Sequence, residues 1–226
     1  MPIFYQQDID EYTKLGIWKI EEDENFFLQS VVPQRNVSHP HKKLQHLAGR
    51  YLLKYLFPDF PLSLILIADT RKPYLENEAY HFSISHCGDY AAAIVSKTKR
   101  VGVDIELPSE KVERIRHKFL DDREQIMVDT EWSYNGNEEL AIGDKQINLK
   151  NLTLLWSCKE AIFKWWGKGN VDFSDMMKLT GYMPKEKGVL SGKFIKEETN
   201  SAFPVYYEIF PSLVLAWVVT EPALAE

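Results

Sequence analysis

The sequence predicts an α+β fold built from two similar halves, residues 1–102 and 103–226. Three observations carry this. An amphipathic helical segment from Pro40 leads into strands that end in YAAAIVS, Tyr90–Ser96. A second helical segment, LTLLWSCKEAIFKWW, leads into strands that end in LVLAWVVT, Leu213–Thr220. Between them a single apolar strand, VGVDIE, occupies Val101–Glu106 and marks where the halves meet.

Each element follows from its pattern. The first thirty residues mix aromatics with the acidic run EEDE and predict a short strand and then a polar helix. From Pro40, apolar or small residues fall at Leu44, Leu47, Ala48, Leu52 and Leu56. That spacing lines one face of a helix, and Pro58 ends it. LSLILIA predicts a strand and Arg71-Lys72-Pro73 a turn. HFSISH and YAAAIVS predict a hairpin turning at Cys87-Gly88-Asp89, and VGVDIE a strand closed by Pro108. A charged helix is expected from about Glu110 to Phe119, and another near Asp121, capped by Asp121 or Asp122. The polar stretch from Asn135 to Asn148 predicts an insertion, with a small hairpin as its candidate form. The WSCKE helix is expected to start at Asn151 or Thr153 and to stop at Gly167 and Gly169. The tail from Gly188 alternates as three strands.

Composition bounds the function. Of 226 residues, 45% are hydrophobic and 13% aromatic, enough for a sizeable core. A formal charge of −6 argues against bulk attraction to nucleic acid or to an anionic membrane. Local basic patches exist at His39–Lys43 and Lys111–Lys118. The two cysteines, Cys87 and Cys158, fit neither a disulfide framework nor a zinc site. No apolar run is long enough to cross a bilayer, and the N-terminus has no signal-like apolar core, so a cytoplasmic location is expected.

Four segments could carry chemistry. In VGVDIE, Asp104 and Glu106 share one face of a strand, about 6–7 Å apart. Two like charges so placed favour a bridging cation, although a solvated strand end accommodates them as well. In WSCKEAIFKWWGKG, Trp156, Glu160 and Lys164 lie four apart on one helix face. Glu160 could join the carboxylates and Lys164 could meet a phosphate; equally, the two form an ordinary helical ion pair. His86 ends a strand beside Ser83 and Ser85, a place where either a site residue or a structural hydrogen-bonding histidine belongs. Arg71-Lys72-Pro73 sets two cations in a proline-fixed turn, suited to an anion or to solvent. No nucleotide phosphate loop, dinucleotide fingerprint, serine nucleophile elbow or HExxH zinc motif occurs.

Taken in order, K-P at Lys72, S-I-S-H ending at His86, G-V-D-I-E at Gly102–Glu106, W-S-C-K-E-A-I-F-K at Trp156–Lys164 and G-K-G at Gly167–Gly169 resemble the surfactin-type 4′-phosphopantetheinyl transferases. The match spans Arg71 to Gly169, and the length suits the monomeric, double-sized branch. The resemblance implies a pseudo-twofold α+β fold that binds coenzyme A. It implies magnesium held by Asp104, Glu106 and Glu160, and nucleotide contacts from Lys72, Ser85 and His86. Lys164 is implied as a pyrophosphate contact, and Glu124 as the general base, with Glu106 as the fallback. The implied reaction moves phosphopantetheine from coenzyme A to a serine of an apo acyl or peptidyl carrier protein, releasing adenosine 3′,5′-bisphosphate. Neither nucleic acid nor membrane is an expected partner. The alternatives are a non-catalytic coenzyme A-binding module and a magnesium-dependent nucleotide hydrolase. The sequence departs from the family pattern at Arg71, where a glycine is usual. Carrier preference is not implied, because residues 135–148 fall where relatives contact the carrier. Relatives also gather cations near the stretch that holds Lys42, Lys43 and Arg50.

Overall fold

The structure, a computed structural model, describes residues 3–33, 37–131, 145–181 and 185–221. Helices and antiparallel sheets occur together, which is the α+β class. The chain divides into two compact units. One comprises the described residues of Met1–Ile105, Lys164–Lys168 and Val219–Glu226; the other comprises those of Glu106–Phe163 and Gly169–Val218.

In the first unit, strands β1 (Ile3–Asp10), β2 (Thr13–Lys19), β5 (His81–Cys87) and β6 (Tyr90–Ser96) form an antiparallel sheet in the order β1-β2-β6-β5. Helix α1 (Glu24–Leu28) precedes α2 (Pro40–Leu56), which packs on β2, β5 and β6. The helical stripe read from the sequence is buried here: Leu47, Ala48, Leu52 and Leu56 meet Trp18, Phe27, Ala93 and Val95. Gly49 lets the helix approach closely, since a Cβ there would come within 2.7 Å of Ile84. Two short strands, β3 (Leu66–Ile67) and β4 (Pro73–Tyr74), pair around the Arg71 turn, and β7 (Arg100–Glu106) follows β6.

The N-terminal expectation is corrected. Instead of one strand and a polar helix, a β1–β2 hairpin precedes a five-residue helix capped by the Asp23 side chain. β1 alternates in burial over residues 3–9, so Tyr5 lies on its half-covered side and Phe4 on its exposed one. The apolar run LSLILIA is mostly not strand. Leu62–Leu64 form a 3₁₀ turn and only Leu66–Ile67 pair; Leu64, Leu66 and Ile67 are exposed, so burial does not enforce a longer strand.

In the second unit, α3 (Glu110–Ile115) and α4 (Asp122–Ile126) precede the long helix α5 (Lys145–Trp166), whose last three residues belong to the first unit. After α6 (Phe173–Met176) come β8 (Met177–Thr180), β9 (Lys187–Lys196), β10 (Thr199–Ile209) and β11 (Val214–Thr220), paired antiparallel in that order. Asp121 caps α4 as expected, in a reciprocal capping box with Glu124. Helix α5 begins earlier than Asn151. Of the stretch expected as an insertion, 145–148 are helical and 135–144 lie outside the described residues. No described helix is long and apolar enough to cross a membrane.

Candidate active site

The most concentrated chemistry in the first unit is at Asp104. It lies on β7, flanked by Val103 and Ile105 on the opposite, fully buried face, and only 2% of it is exposed. A carboxylate so buried needs charged or hydrogen-bonding partners. Lys164 Nζ donates to Asp104 Oδ1 at 2.6 Å, and Ser85 Oγ donates to the same oxygen at 2.8 Å. Lys164 Nζ also donates to Ser85 Oγ at 2.7 Å. The three groups close a triangle of short, charge-assisted bonds. The Lys164 side chain keeps 25% of its surface exposed against 3% for Asp104, so the cation borders solvent while its counter-charge does not. Ser83, next inward on β5, receives the Val103 amide on its hydroxyl at 3.2 Å, which ties β5 to β7 at this level. His86, one residue beyond Ser85, is exposed at the strand end.

Lys72 sits elsewhere in this unit. Its ammonium donates to the main-chain oxygen of Lys164 at 2.6 Å and, more weakly, to that of Trp165 at 3.5 Å. Burial, together with the neighbouring Arg100 charge, pulls its pKa down to about 8. Arg71 holds the turn before it with φ 66°, the left-handed region that suits the glycine expected here, at a cost of about 1 kcal/mol for a residue with a Cβ. Lys72 also borders a cavity of about 460 Å³ with Tyr74, His81, Arg100, Trp166 and Lys168. The cavity adjoins the starts of β5 and β7, and Ser85, His86 and Asp104 are not among its lining residues. Burial pushes the His81 imidazole below its usual pKa.

In the second unit, Glu106 ends β7 half-buried and accepts a hydrogen bond from the Trp156 indole at 3.2 Å. Trp156 is itself held edge-on by Phe119, at 5.2 Å between centroids, and stacked on Phe173 at 5.6 Å. Glu160, one helical turn on from Trp156, is half-buried on the same face.

Glu124, implied by the resemblance as the general base, lies buried against a cation. It is 2% exposed, and its Oε2 contacts Lys159 Nζ at 2.6 Å. Its oxygens also accept the amides of Asp121, at 2.9 Å, and Leu179, at 2.8 Å. Lys159, fully buried, donates in addition to the carbonyls of Phe119, Phe173 and Met177. Burial pushes the Glu124 carboxyl up and the Lys159 ammonium down, and each charge offsets the other's penalty. The pair joins the loop before α4, helix α6 and the first strand of the sheet. Glu124 borders a surface cavity with Asp121, Asp122 and Lys178, yet its carboxylate already serves as a structural acceptor. Sequence reasoning passed over Lys159. The signal was its place beside Leu155, Cys158 and Ile162, on the buried stripe of α5.

The order of these groups along the chain has known counterparts. Residues 100–217 match the family model described as the 4′-phosphopantetheinyl transferase superfamily. The chain belongs to that superfamily. It is a transferase by family. A Haemophilus influenzae protein whose name places it among the 4′-phosphopantetheinyl transferases is 27% identical over 187 residues, 80% of this chain and 69% of that one. Enterobactin synthase component D of Escherichia coli K12 is 32% identical over 124 residues, 54% of each chain. The same component of Salmonella typhi is 30% identical over 145 residues, 62% of this chain and 52% of that one. The chain thus spans about half the length of its enterobactin synthase relatives.

The donor chemistry of this superfamily member suits a hard divalent cation. Asp104, Glu106 and Glu160 are all carboxylates, the oxygen donors that such an ion takes, and Asp104 already holds the Lys164 ammonium at its oxygen. Among the described residues, no group of three or more histidine, cysteine, aspartate or glutamate side chains is gathered as a ready metal cage. An ion bound here would therefore need ligands from outside that set, such as substrate oxygens or water, as magnesium commonly takes.

Proposed function

We propose that this protein transfers the 4′-phosphopantetheine arm of coenzyme A to a serine of an apo carrier protein, releasing adenosine 3′,5′-bisphosphate. The observation that carries the reading is the Asp104–Ser85–Lys164 triangle, a buried anion with a solvent-bordering ammonium and a hydroxyl on one oxygen. Family membership supports it, and so do the G-V-D-I-E and W-S-C-K-E motifs read from the sequence.

In the reaction a serine hydroxyl attacks the β-phosphorus of the coenzyme A pyrophosphate, and charge gathers on the leaving phosphate. Lys164 meets that charge: its ammonium, anchored by Asp104 and Ser85, is fixed before substrate arrives and need not reorganise. His86 receives a phosphate oxygen at the nucleotide end, and Ser85 joins it by turning its one hydroxyl proton from Asp104 to the phosphate while still accepting from Lys164. The serine proton goes to Glu106 rather than Glu124, because Glu106 is only half-buried, whereas Glu124 would have to surrender Lys159 and two amides to take it. Asp104, Glu106 and Glu160 would hold magnesium, which when bound neutralises and orients the pyrophosphate. The order and spacing of the motifs, with the chain length, support a place in the monomeric, double-sized branch with pseudo-twofold halves.

The test is mass spectrometry of an apo carrier protein incubated with coenzyme A, magnesium and the purified protein. The expected result is a carrier heavier by one phosphopantetheine, with adenosine 3′,5′-bisphosphate released, and a loss of at least about a hundredfold in rate for Asp104→Asn. Coenzyme A cleavage without carrier would instead indicate a hydrolase. Binding without turnover would indicate a non-catalytic module.

A further inference from the structure

The last turn of α5 is tied down by Arg100 and Thr70, which no step above uses, and by Lys72, expected from the sequence as a nucleotide contact. A helix end leaves its final carbonyls without helical partners. Here each of four successive carbonyls has a donor from the first unit. Lys72 Nζ donates to Lys164 O at 2.6 Å. Arg100 Nε donates to Trp165 O at 2.9 Å, and a terminal guanidinium nitrogen to Trp166 O. Thr70 Oγ1 donates to Gly167 O at 3.0 Å. The Arg100 guanidinium also lies over the Trp165 ring, 4.6 Å from its centre.

Gly167 makes room for this arrangement. It takes φ +73°, and a Cβ there would come within 2.5 Å of Lys72 Cδ. Cations near a helix C-terminus are favourable, but two of them side by side and largely buried repel each other and lose hydration. A neutral cap would satisfy the same carbonyls more cheaply. What the two cations achieve is a rigid final turn, and that turn carries Lys164, whose ammonium reaches Asp104 and Ser85.

We propose that Arg100 and Lys72, assisted by Thr70, are positioning residues that clamp the end of α5 and thereby set Lys164 on the Asp104–Ser85 pair. The proposal rests on the transferase reading for its kinetic arm only. It gives Lys72 a role other than contact with the nucleotide, and the two roles separate cleanly: a nucleotide contact acts on the KM for coenzyme A, a positioning residue on kcat.

The experiment compares wild type with Arg100→Met, Arg100→Lys and Lys72→Met in the full chain. Amide hydrogen exchange is followed on peptides covering residues 160–168, alongside kcat and KM for coenzyme A in the carrier-loading assay. For Arg100→Met and Lys72→Met, exchange in that peptide should speed up about tenfold while the β5–β6 hairpin is unchanged. Their kcat should fall by about ten- to a hundredfold, with KM within about twofold of wild type. Arg100→Lys, which keeps a charge and a donor, should recover part of both. Unchanged exchange at 160–168 would overturn the clamp, and so would a raised KM with unaltered kcat. If Arg100→Met does not fold, Thr70→Val removes only the exposed hydroxyl bond and should show the same pattern in milder form. A wild-type protein that loads no carrier refutes the transferase reading, whereas the exchange arm still decides whether the clamp exists.

Discussion

Replacing Glu124 by Gln separates a structural carboxylate from a catalytic one. The substitution keeps the side chain's shape but removes its charge, and it turns an amide donor or a neutral oxygen toward the Lys159 ammonium. Lys159 is fully buried and Glu124 nearly so, at 0% and 2% side-chain exposure, so solvent cannot take over the lost interaction. Removing one partner of a buried ion pair typically costs about 3–5 kcal/mol. Three carbonyls around Lys159 Nζ remain as acceptors and soften the loss, so the lower end, about 3 kcal/mol, is expected. At about 2–4 °C per kcal/mol for a chain of this size, Tm should fall by about 6 °C or more. Urea unfolding checks the free energy, and circular dichroism melting checks Tm. The double variant Glu124→Leu with Lys159→Met should recover much of the loss, since an apolar pair of similar volume leaves no stranded charge. Should Glu124→Gln melt within about 0.5 kcal/mol of wild type while carrier loading collapses, the structural assignment is wrong and the proton acceptor is Glu124 after all.

Two further outcomes follow from Lys72 and Gly167. Lys72 has a folded-state pKa of about 8 against an ordinary value of 10.5, so between these pH values the unfolded chain binds more protons and stability rises with pH. Below about pH 8 both states are protonated and the full burial penalty stands; with partial exposure, relief over the window amounts to about 1–3 kcal/mol. Unfolding free energies at pH 7.5 and pH 10, compared between wild type and Lys72→Met, isolate this contribution from surface lysines; equal slopes would refute it. Gly167→Ala should destabilise by about 1–2 kcal/mol, because alanine tolerates φ +73° poorly and its methyl would strike Lys72. A melting temperature equal to wild type would remove Gly167's role as the space for Lys72.

Much of the fold was legible because its elements announce themselves locally. Helix α2 has an apolar stripe and prolines near both ends, the β5–β6 hairpin a Gly turn, and α4 an Asp cap with Glu three residues on. The first hairpin was legible only as a single strand, because β1 is half-covered and shows no clean apolar alternation. β8 is four residues long, too short to carry a period. For the site, motif spelling singled out Asp104, Ser85 and Lys164, and the structure brings those three together. What spelling could not supply is where a cation's head goes. Arg100 stands 65 residues before the carbonyl that receives it, and Lys159 looks like one more charged helix residue until burial is known. Glu124 shows the converse: at a motif position, the environment adds a buried ion pair with Lys159 that spelling could not announce.

The chain passes between its two units at residues 105/106, 163/164, 168/169 and 218/219, so neither unit is a single stretch of sequence. A cut after Ile105 would yield an N-terminal fragment stripped of Lys164–Lys168 and of Thr220, which accepts the Trp165 indole in the intact chain. Asp104 would then lie in an apolar wall with its cation on a different polypeptide, and a buried carboxylate stripped of its partner destabilises the fragment. Duplication or shuffling of halves along this gene cannot therefore proceed by simple cut and paste: the five residues on loan from the far helix must travel with the piece that borrows them.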